Sequence, residues 1–417
     1  MLGTSINYLT RSTLSVAAPT VLNDLGITAQ QYSWILGAFQ GAYMLQPICG
    51  YMLDVVGLKL GYALFAAAWS LINIAHALAG SWAGLALLRG LLGFFEGTAI
   101  PAGMKTTAEW FPARERGIAG GVFNIGASIG SMVAPPLVAW AILYYNWQIA
   151  FVVTGALGLA WVALWLAFYR SPERHPALTG AEKTLIVSGQ ERHLQGEGSR
   201  PSFGQILRQR NFWGIAIPRF LADPTWGTLS FWLPLYLTSV RHFDLKQIAL
   251  FAWMPFLAAD FGSVFGGMVS AALQKYGRVT LINARRLAFS VGACMMIGVT
   301  PVGVVNDPYV AIALLSLAGF AHQTLSVTVI TMASDLFKKS EVATVAGMAG
   351  TFGNGGVLIF SLLIGALVAS IGYGPFFVCL AALDLVGAVV LWTVVRDCQA
   401  VTAVLGCSRE VAPGRSF

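Results

Sequence analysis

The sequence predicts an all-α membrane protein with twelve transmembrane helices arranged as two six-helix halves. The first observation is composition: 57% of the 417 residues are hydrophobic and only 10% are charged, whereas soluble globular proteins carry about 25% charged residues. The second is that apolar runs of about 20 residues, the length of helix that spans a bilayer core, recur along the chain. The third is one long polar segment, residues 171–211, which divides these runs into six and six.

The apolar runs favour helices over the strands of an outer-membrane barrel, because they do not alternate apolar and polar residues and many of the chain's 46 glycines and 17 prolines are spread through them. The runs divide the chain into an N-terminal bundle (1–170), a cytoplasmic linker (171–211), a C-terminal bundle (212–396) and a disordered cytoplasmic tail (397–417). The predicted segments, numbered 1 to 12, are residues 1–20, 31–53, 59–79, 82–104, 117–140, 147–170, 212–239, 247–272, 281–304, 308–332, 342–370 and 374–396.

The basic residues indicate how the chain is oriented. Of the 25 Lys and Arg residues, only Arg241 and Lys246 fall in the loops that would face outside, and Arg11, Arg89 and Arg219 lie deepest within the segments. By the positive-inside rule, this asymmetry predicts cytoplasmic N- and C-termini in a bacterial inner membrane. It also accounts for the net charge of +7 without a nucleic-acid partner.

The two halves resemble each other when the first is shifted by 226 positions. Many transporters consist of duplicated six-helix units of this kind. The shift predicts that segments 4 and 5 have counterparts in segments 10 and 11. Matched positions include Gly93 with Gly319, Glu96 with His322, Glu109 with Asp335, Phe111 with Phe337, Gly130 with Gly356 and Phe151 with Phe377.

Three charged residues within the apolar segments mark the expected site. A charge at the bilayer centre costs roughly 2.5 to 3.5 kcal/mol on insertion scales, so Arg11, Arg89 and Glu96 each call for a partner or a function. Arg89 and Glu96 are seven residues apart and therefore share a helix face. Two guanidinium groups and one titratable carboxylate suit an organic anion, with Glu96 as the proton-coupling residue. The alternative is a structural Arg89–Glu96 ion pair.

Further polar and aromatic residues at mid-segment are expected to line the same cavity. Amide and aromatic side chains suit a hydroxylated ring, although interhelical hydrogen bonding explains each residue equally well. Asp223, Asp260 and Asp384 are additional intramembrane acids that belong either to a gate or to helix packing. The predicted cavity residues, besides Arg11 and Arg89, are Tyr43, Gln46, Asn124, Trp226, His322, Gln323 and Asn354.

A motif between segments 2 and 3 resembles a known family. Gly50-x-x-x-Asp54-x-x-Gly57-x-Lys59 is similar to the loop motif of the major facilitator superfamily, in which the acid and the base brace the cytoplasmic gate. The basic residue that usually follows the acid is Val55 here. The resemblance implies that Asp54, Gly57 and Lys59 form a gate motif and that the two halves rock about a central site.

Other stretches resemble the anion:cation symporter family and, within it, the branch that takes up the hexuronates galacturonate and glucuronate. These stretches include residues 7–11, 109–116, 147–151, 251–255 and 319–323. The resemblance implies proton-coupled import in which the helix-1 and helix-4 arginines, Arg11 and Arg89, bind the substrate carboxylate, Tyr43 contacts it, and Glu96 carries the proton. Some relatives have an acid before the helix-1 arginine, whereas this chain has Thr10, which favours one proton per sugar.

The sequence thus predicts a monomeric secondary transporter for a sugar acid, with the lipid bilayer as its surroundings and the proton as its coupling ion. A symporter, facilitator or exchanger for another organic anion, such as an aldonate, is the alternative. We expect no enzymatic activity, no organic cofactor and no metal, because the chain has no Cys/His ligand spacing, no P-loop and no defensible catalytic triad.

Overall fold

The computed structural model describes residues 1–111, 116–172, 175–188, 203–337 and 339–396. The predicted tail, 397–417, and the centre of the linker lie outside the described residues. Eighteen α-helices occupy these ranges: α1 Leu2–Asp24, α2 Ala29–Tyr43, α3 Gln46–Val56, α4 Leu58–Ala75, α5 Trp82–Glu96, α6 Ala99–Trp110, α7 Arg116–Tyr144, α8 Trp147–Phe168, α9 Gly180–Ser188, α10 Phe203–Leu207, α11 Arg210–Gly227, α12 Leu233–Arg241, α13 Leu245–Phe251, α14 Met254–Lys275, α15 Leu281–Ile297, α16 Pro308–Leu336, α17 Lys339–Ile371 and α18 Gly374–Val394.

The helices confirm the prediction of an all-α membrane protein. Within the described ranges, nine helical stretches are long and apolar enough to cross a membrane, and they correspond to predicted segments 3–6 and 8–12. Segments 1, 2 and 7 are helical as well. Segment 1 carries a run of polar residues, segment 2 is divided into α2 and α3, and segment 7 contains a π-helical stretch, Thr228–Trp232.

Prolines and polar caps set the helix boundaries. Pro47, Pro234 and Pro255 lie at the first two positions of α3, α12 and α14, where a missing N–H leaves no helical hydrogen bond unmade. Polar caps start other helices, since Thr28 forms a capping box with Gln31 at α2 and the Ser81 hydroxyl accepts the Gly84 N–H at α5. The predicted linker also contains two short helices, α9 and α10, which its Pro-rich and charged composition did not indicate.

The same close helix contacts occur in both halves. In the first half, a Cβ atom added to Gly93 of α5 would lie 2.3 Å from the Phe39 carbonyl oxygen of α2. At the matched position in the second half, a Cβ on Gly319 of α16 would lie 2.2 Å from the Pro255 oxygen of α14. Segment 4 therefore packs on segment 2 as segment 10 packs on segment 8, which supports the predicted repeat.

A second pair of matched glycines makes equivalent contacts. A Cβ on Gly130 of α7 would lie 2.2 Å from the Ser5 oxygen of α1, and one on Gly356 of α17 would lie 2.0 Å from the Phe220 oxygen of α11. Small residues allow helix backbones to approach this closely. The glycine runs of segments 5 and 11 thus serve close packing against segments 1 and 7.

The two halves contact each other near the end of the molecule that carries the α1–α2 turn. The Ser15 hydroxyl donates to the Ser230 carbonyl oxygen at 2.6 Å, and the Tyr32 hydroxyl donates to the Phe231 oxygen at 2.8 Å. α2 also packs along α17, where Gly365 leaves room for the Ser33 side chain. These contacts join segments 1 and 2 to segments 7 and 11.

We predict that Gly93→Ala destabilises the protein, because the added methyl group would overlap the Phe39 carbonyl and force α2 and α5 apart. Overpacking of this kind costs about 1–3 kcal/mol, so the unfolding temperature of the purified protein in detergent should fall. Gly41→Ala in α2 is the matched control, since nothing lies within 4 Å of its added Cβ. Equal unfolding temperatures for the two variants would contradict the packing role of Gly93.

Candidate functional site

One face of α1 carries the polar residues of the first half of the site. Asn7, Thr10 and Arg11 follow the i, i+3, i+4 spacing that places side chains on one side of a helix. Asn7 and Thr10 are fully buried, and the Arg11 side chain is 11% exposed. The Asn7 side-chain oxygen accepts a 3.4 Å hydrogen bond from Arg11 Nη2. This polar face points into the bundle.

Glu96, the last residue of α5, meets this face of α1. Arg11 Nε donates to Glu96 Oε2 at 3.2 Å, and the Thr10 hydroxyl donates to Oε1 at 2.8 Å. Glu96 is fully buried, so this carboxylate has exchanged its water contacts for one guanidinium and one hydroxyl. The prediction that Arg11 and Glu96 share one site therefore agrees with the geometry.

Arg89 lies beside this pair without forming an ion pair to Glu96. Its Nη2 donates to the backbone oxygen of Arg11 at 3.1 Å, and its guanidinium carbon lies 4.7 Å from the Phe39 ring centroid. Arg89 is fully buried, and its Nε and Nη1 find no hydrogen-bond partner among the described residues. In this structure Glu96 pairs with Arg11 and not with Arg89, the partner that the alternative of a structural ion pair assumed.

Aromatic rings enclose the Arg11 guanidinium. Its central carbon lies 4.4 Å from the ring centroid of Tyr43, 4.6 Å from that of Tyr8 and 5.2 Å from that of Phe39. Cation–π attraction of this kind strengthens when the cation is partly desolvated. Phe39 also contacts Arg89 and is a site residue that the sequence analysis missed. Its spacing of four residues from Tyr43, on the same helix face, could have indicated it.

The predicted residues of the second half lie around α11, α16 and α17. The Trp226 ring stacks on the His322 ring at 6.0 Å between centroids, and His322 is 2% exposed. Asn354 donates through Nδ2 to the Gly350 carbonyl oxygen at 3.0 Å, a bond within its own helix. Gln323, next to His322 on α16, is partly buried. The structure therefore brings Trp226 and His322 together.

Gln46 lies where the two halves approach each other. A Cβ added to Gly350 of α17 would lie 3.9 Å from Gln46 Nε2 and 3.7 Å from Arg219 Nη1. The Arg219 guanidinium also forms an ion pair with Asp223, one helical turn later, at 3.1 Å. The sequence analysis placed Arg219 in the membrane without giving it a role, although its position in an apolar segment was the signal.

The gate motif and Asn124 are only partly described. Gly57 adopts a left-handed backbone with φ of 89° between α3 and α4, a conformation that glycine reaches without strain. The Lys59 backbone oxygen accepts a 3.0 Å hydrogen bond from the Trp165 indole N–H. The side chains of Asp54 and Asn124 lie outside the described part of the structure. The assignment of these residues stays a prediction.

The arrangement in the first half is suited to binding an anion. With Glu96 ionised, Arg11, Arg89 and Glu96 together carry one net positive charge at a buried position. A planar guanidinium can form two parallel hydrogen bonds to a carboxylate. Because Glu96 Oε2 accepts the Nε–H of Arg11 in this structure, a carboxylate that binds Arg11 through Nε must compete with Glu96.

Comparison with known proteins gives the family. The model of the Major Facilitator Superfamily matches residues 1–305. The chain belongs to the Major Facilitator Superfamily. The prediction of a transporter rather than an enzyme is thereby confirmed.

Individual transporters of this superfamily are closely similar in sequence. The chain is 49% identical over 414 residues to the hexuronate transporter of Escherichia coli strain K12, which covers 99% of this chain and 96% of that protein. It is 51% identical over 314 residues to the galacturonate transporter of Dickeya chrysanthemi, covering 75% of this chain and 91% of that protein. Each similarity spans most of both chains.

Solved structures share the fold. The D-xylose–proton symporter matches with a TM-score of 0.72 at 17% identity, over 95% of this chain and 96% of that chain. A bacterial homologue of the human lysosomal transporter Spinster, in an inward-facing and occupied conformation, matches with a TM-score of 0.69 at 14% identity, over 98% of this chain and 95% of that chain. These likenesses confirm the predicted fold class.

We predict that Arg11→Ala lowers stability by about 3–5 kcal/mol, because removal of one partner leaves the other charge buried and unpaired. Arg11→Ala combined with Glu96→Gln should recover much of this loss, since the side chain that loses its Arg11 partner is then uncharged. Thermal unfolding of the single and double variants in detergent forms the double-mutant cycle that measures the coupling. Strictly additive effects would contradict an energetically coupled Arg11–Glu96 pair.

Proposed function

We propose that this protein imports a hexuronate, galacturonate or glucuronate, together with protons across the bacterial inner membrane. The substrate assignment rests on the 49% identity to the hexuronate transporter of Escherichia coli over nearly the whole chain. Coupling of transport to protons is supported by the position of Glu96, whose carboxylate forms an ion pair with the Arg11 guanidinium. We further propose that the protein acts as a monomer with both termini in the cytoplasm.

Competition for Arg11 explains how proton and substrate binding are linked. While Glu96 is ionised, it accepts the Arg11 Nε–H at Oε2 and the Thr10 hydroxyl at Oε1. A proton on Glu96 removes its negative charge and weakens the pair, which frees the Arg11 guanidinium for a substrate carboxylate. Each ligand therefore favours binding of the other, as thermodynamic linkage requires. Arg89 supplies the second positive charge at this position.

The contacts between the halves support a state that is closed to the outside. The Ser15–Ser230 and Tyr32–Phe231 hydrogen bonds lie near the α1–α2 turn, which the positive-inside rule places outside. We propose that these contacts close the outer gate and that transport requires them to break as the halves rock about the central site. The matched glycine contacts within each half keep the bundles intact during this motion.

We predict that Glu96→Gln abolishes uptake driven by a proton gradient while retaining exchange of external for internal hexuronate. The amide cannot release a proton, but it leaves Arg11 free to bind the substrate. Purified protein in liposomes, with labelled galacturonate and either an imposed pH gradient or internal unlabelled sugar acid, measures both activities.

Glu182→Gln is the matched control, because Glu182 is exposed on α9 and its capping interaction with Thr179 tolerates the amide. Normal gradient-driven uptake by Glu96→Gln would refute the coupling role of Glu96.

A second experiment tests the substrate class. We predict that galacturonate and glucuronate raise the unfolding temperature of the purified protein, since a ligand that binds the folded state stabilises it, and that an imposed pH gradient accelerates their uptake. Neutral galactose is the matched control, because it lacks the carboxylate. Stabilisation by an aldonate or an aldarate alone would reassign the substrate, and uptake indifferent to the pH gradient would indicate a facilitator or exchanger.

A further inference from the structure

A second set of ionisable residues lies within the C-terminal half. Arg219 and Asp223 form an ion pair on α11, with side chains 18% and 15% exposed. His322 of α16 stacks on Trp226, which lies three residues beyond Asp223 on α11. Asp384 lies on α18, which packs along α11, and a Cβ added to Gly387 of α18 would lie 3.6 Å from the Pro218 Cα of α11. These four residues join α11, α16 and α18, and the proposed mechanism above assigns no role to Arg219, Asp223 or Asp384.

Asp384 is the unusual member of this set. It is fully buried, and neither of its carboxylate oxygens has a hydrogen-bond donor among the described residues. An ionised carboxylate without a partner is very unfavourable in an apolar interior. An ionised Asp384 would therefore have no compensating partner in the described part of this conformation.

No other cation in the described structure compensates Asp384. α18 packs against α11, α15, α17 and the short helix Thr300–Gly303. On α15, Arg285 forms an ion pair with Asp335, and Arg286 donates to the Val395 oxygen at the other end of α18. The charged residues of α17 are confined to its first turn, and Thr300–Gly303 has none. Arg219 of α11 is paired with Asp223.

Asp223 provides a connection between Asp384 and water. Its side chain is partly exposed, whereas that of Asp384 is not. Gly353 of α17 makes room for it, because a Cβ added there would lie 1.9 Å from Asp223 Oδ2. The Asp223 carboxylate is thus held at the α11–α17 contact, beside Arg219 and on the helix that packs along α18.

We propose that Asp384 is a second proton-binding site, which exchanges its proton with water through Asp223. The proton leaves the Asp384 carboxyl for the Asp223 carboxylate and passes from there to water, while Arg219 turns from Asp223 to the newly ionised Asp384. With one proton on Asp384, the residues Arg219, Asp223 and Asp384 together have no net charge. Without that proton they carry one net negative charge, so the proton stays on Asp384 until this buried group opens to water.

This inference rests on the proposed proton-driven uptake and adds a measurable property to it. One proton on Glu96 balances the charge of a hexuronate monoanion, so transport with one proton is electroneutral. A second proton on Asp384 makes each cycle carry one net positive charge inwards. An inside-negative membrane potential then drives accumulation of the sugar acid, and the ratio of its internal to its external concentration rises tenfold for about every 59 mV.

The experiment measures accumulation of labelled galacturonate in liposomes containing the purified protein, with a fixed pH gradient and an imposed potassium diffusion potential of about 120 mV, negative inside. We expect this potential to raise wild-type accumulation about 100-fold. Asp384→Asn, which keeps the size and removes the proton, should still accumulate galacturonate in response to pH but should lose the response to potential. Asp307→Asn is the matched control, since Asp307 is an exposed cap of α16.

Each outcome decides one of the two proposals. Wild-type uptake that responds to pH but not to potential would overturn the second proton site and leave the proposed function intact, even if Asp384→Asn failed to fold. An Asp384→Asn variant with an unchanged response to potential would also overturn it. Wild-type protein that transports galacturonate without responding to pH or potential would instead refute proton coupling altogether. Loss of the potential response in Asp223→Asn as well would support the proton route.

Discussion

The organisation of this protein depends on the cost of placing charge where water and lipid offer no compensation. Glu96 is fully buried and stable there because Arg11 and Thr10 bind its two oxygens. Arg11 in turn lies among three aromatic rings, which stabilise a cation without neutralising it. The pair is therefore satisfied in this structure. In the mechanism proposed above, a proton on Glu96 breaks it, and that is how a buried ion pair would serve coupling.

The helix packing holds this pair in position. α5 carries both Arg89 and Glu96, and Gly93 between them lets α5 touch the backbone of α2 at Phe39. That contact brings Phe39 against Arg89 and, four residues later, Tyr43 against Arg11. A side chain at Gly93 would displace the aromatic rings from both guanidinium groups. The geometry of the charges thus depends on an uncharged residue.

The two halves use one architecture for different chemistry. Gly93 and Gly319, and likewise Gly130 and Gly356, make equivalent backbone contacts, so the packing of the repeat is retained. The ionisable residues differ, because His322 stands at the position that matches Glu96. The second half instead has its ion pair on a single helix, between Arg219 and Asp223, with the unpartnered Asp384 nearby. Helix packing has been kept while the charged groups have been redistributed.

Much of the fold and part of the site followed from the sequence. Apolar length and the positions of Lys and Arg predicted the membrane segments, because the bilayer imposes a thickness and a charge asymmetry that any spanning chain must meet. The residues Arg11, Arg89 and Glu96 could be singled out for the same reason. The breaks within segments 2 and 4, and the helices of the linker, were not predicted, since local helix boundaries depend on packing between segments.

The amino-acid sequence by itself determined which charges the membrane must accommodate, because the energetic cost of a buried charge belongs to the residue type and its depth. Only the tertiary structure decided how those charges are paired. The spacing of seven residues made Arg89 the apparent partner of Glu96, yet the structure pairs Glu96 with Arg11, 85 positions away. An ion pair forms between groups a few ångströms apart, and that proximity is created by the packing of α1 against the α5 end rather than by spacing along one helix.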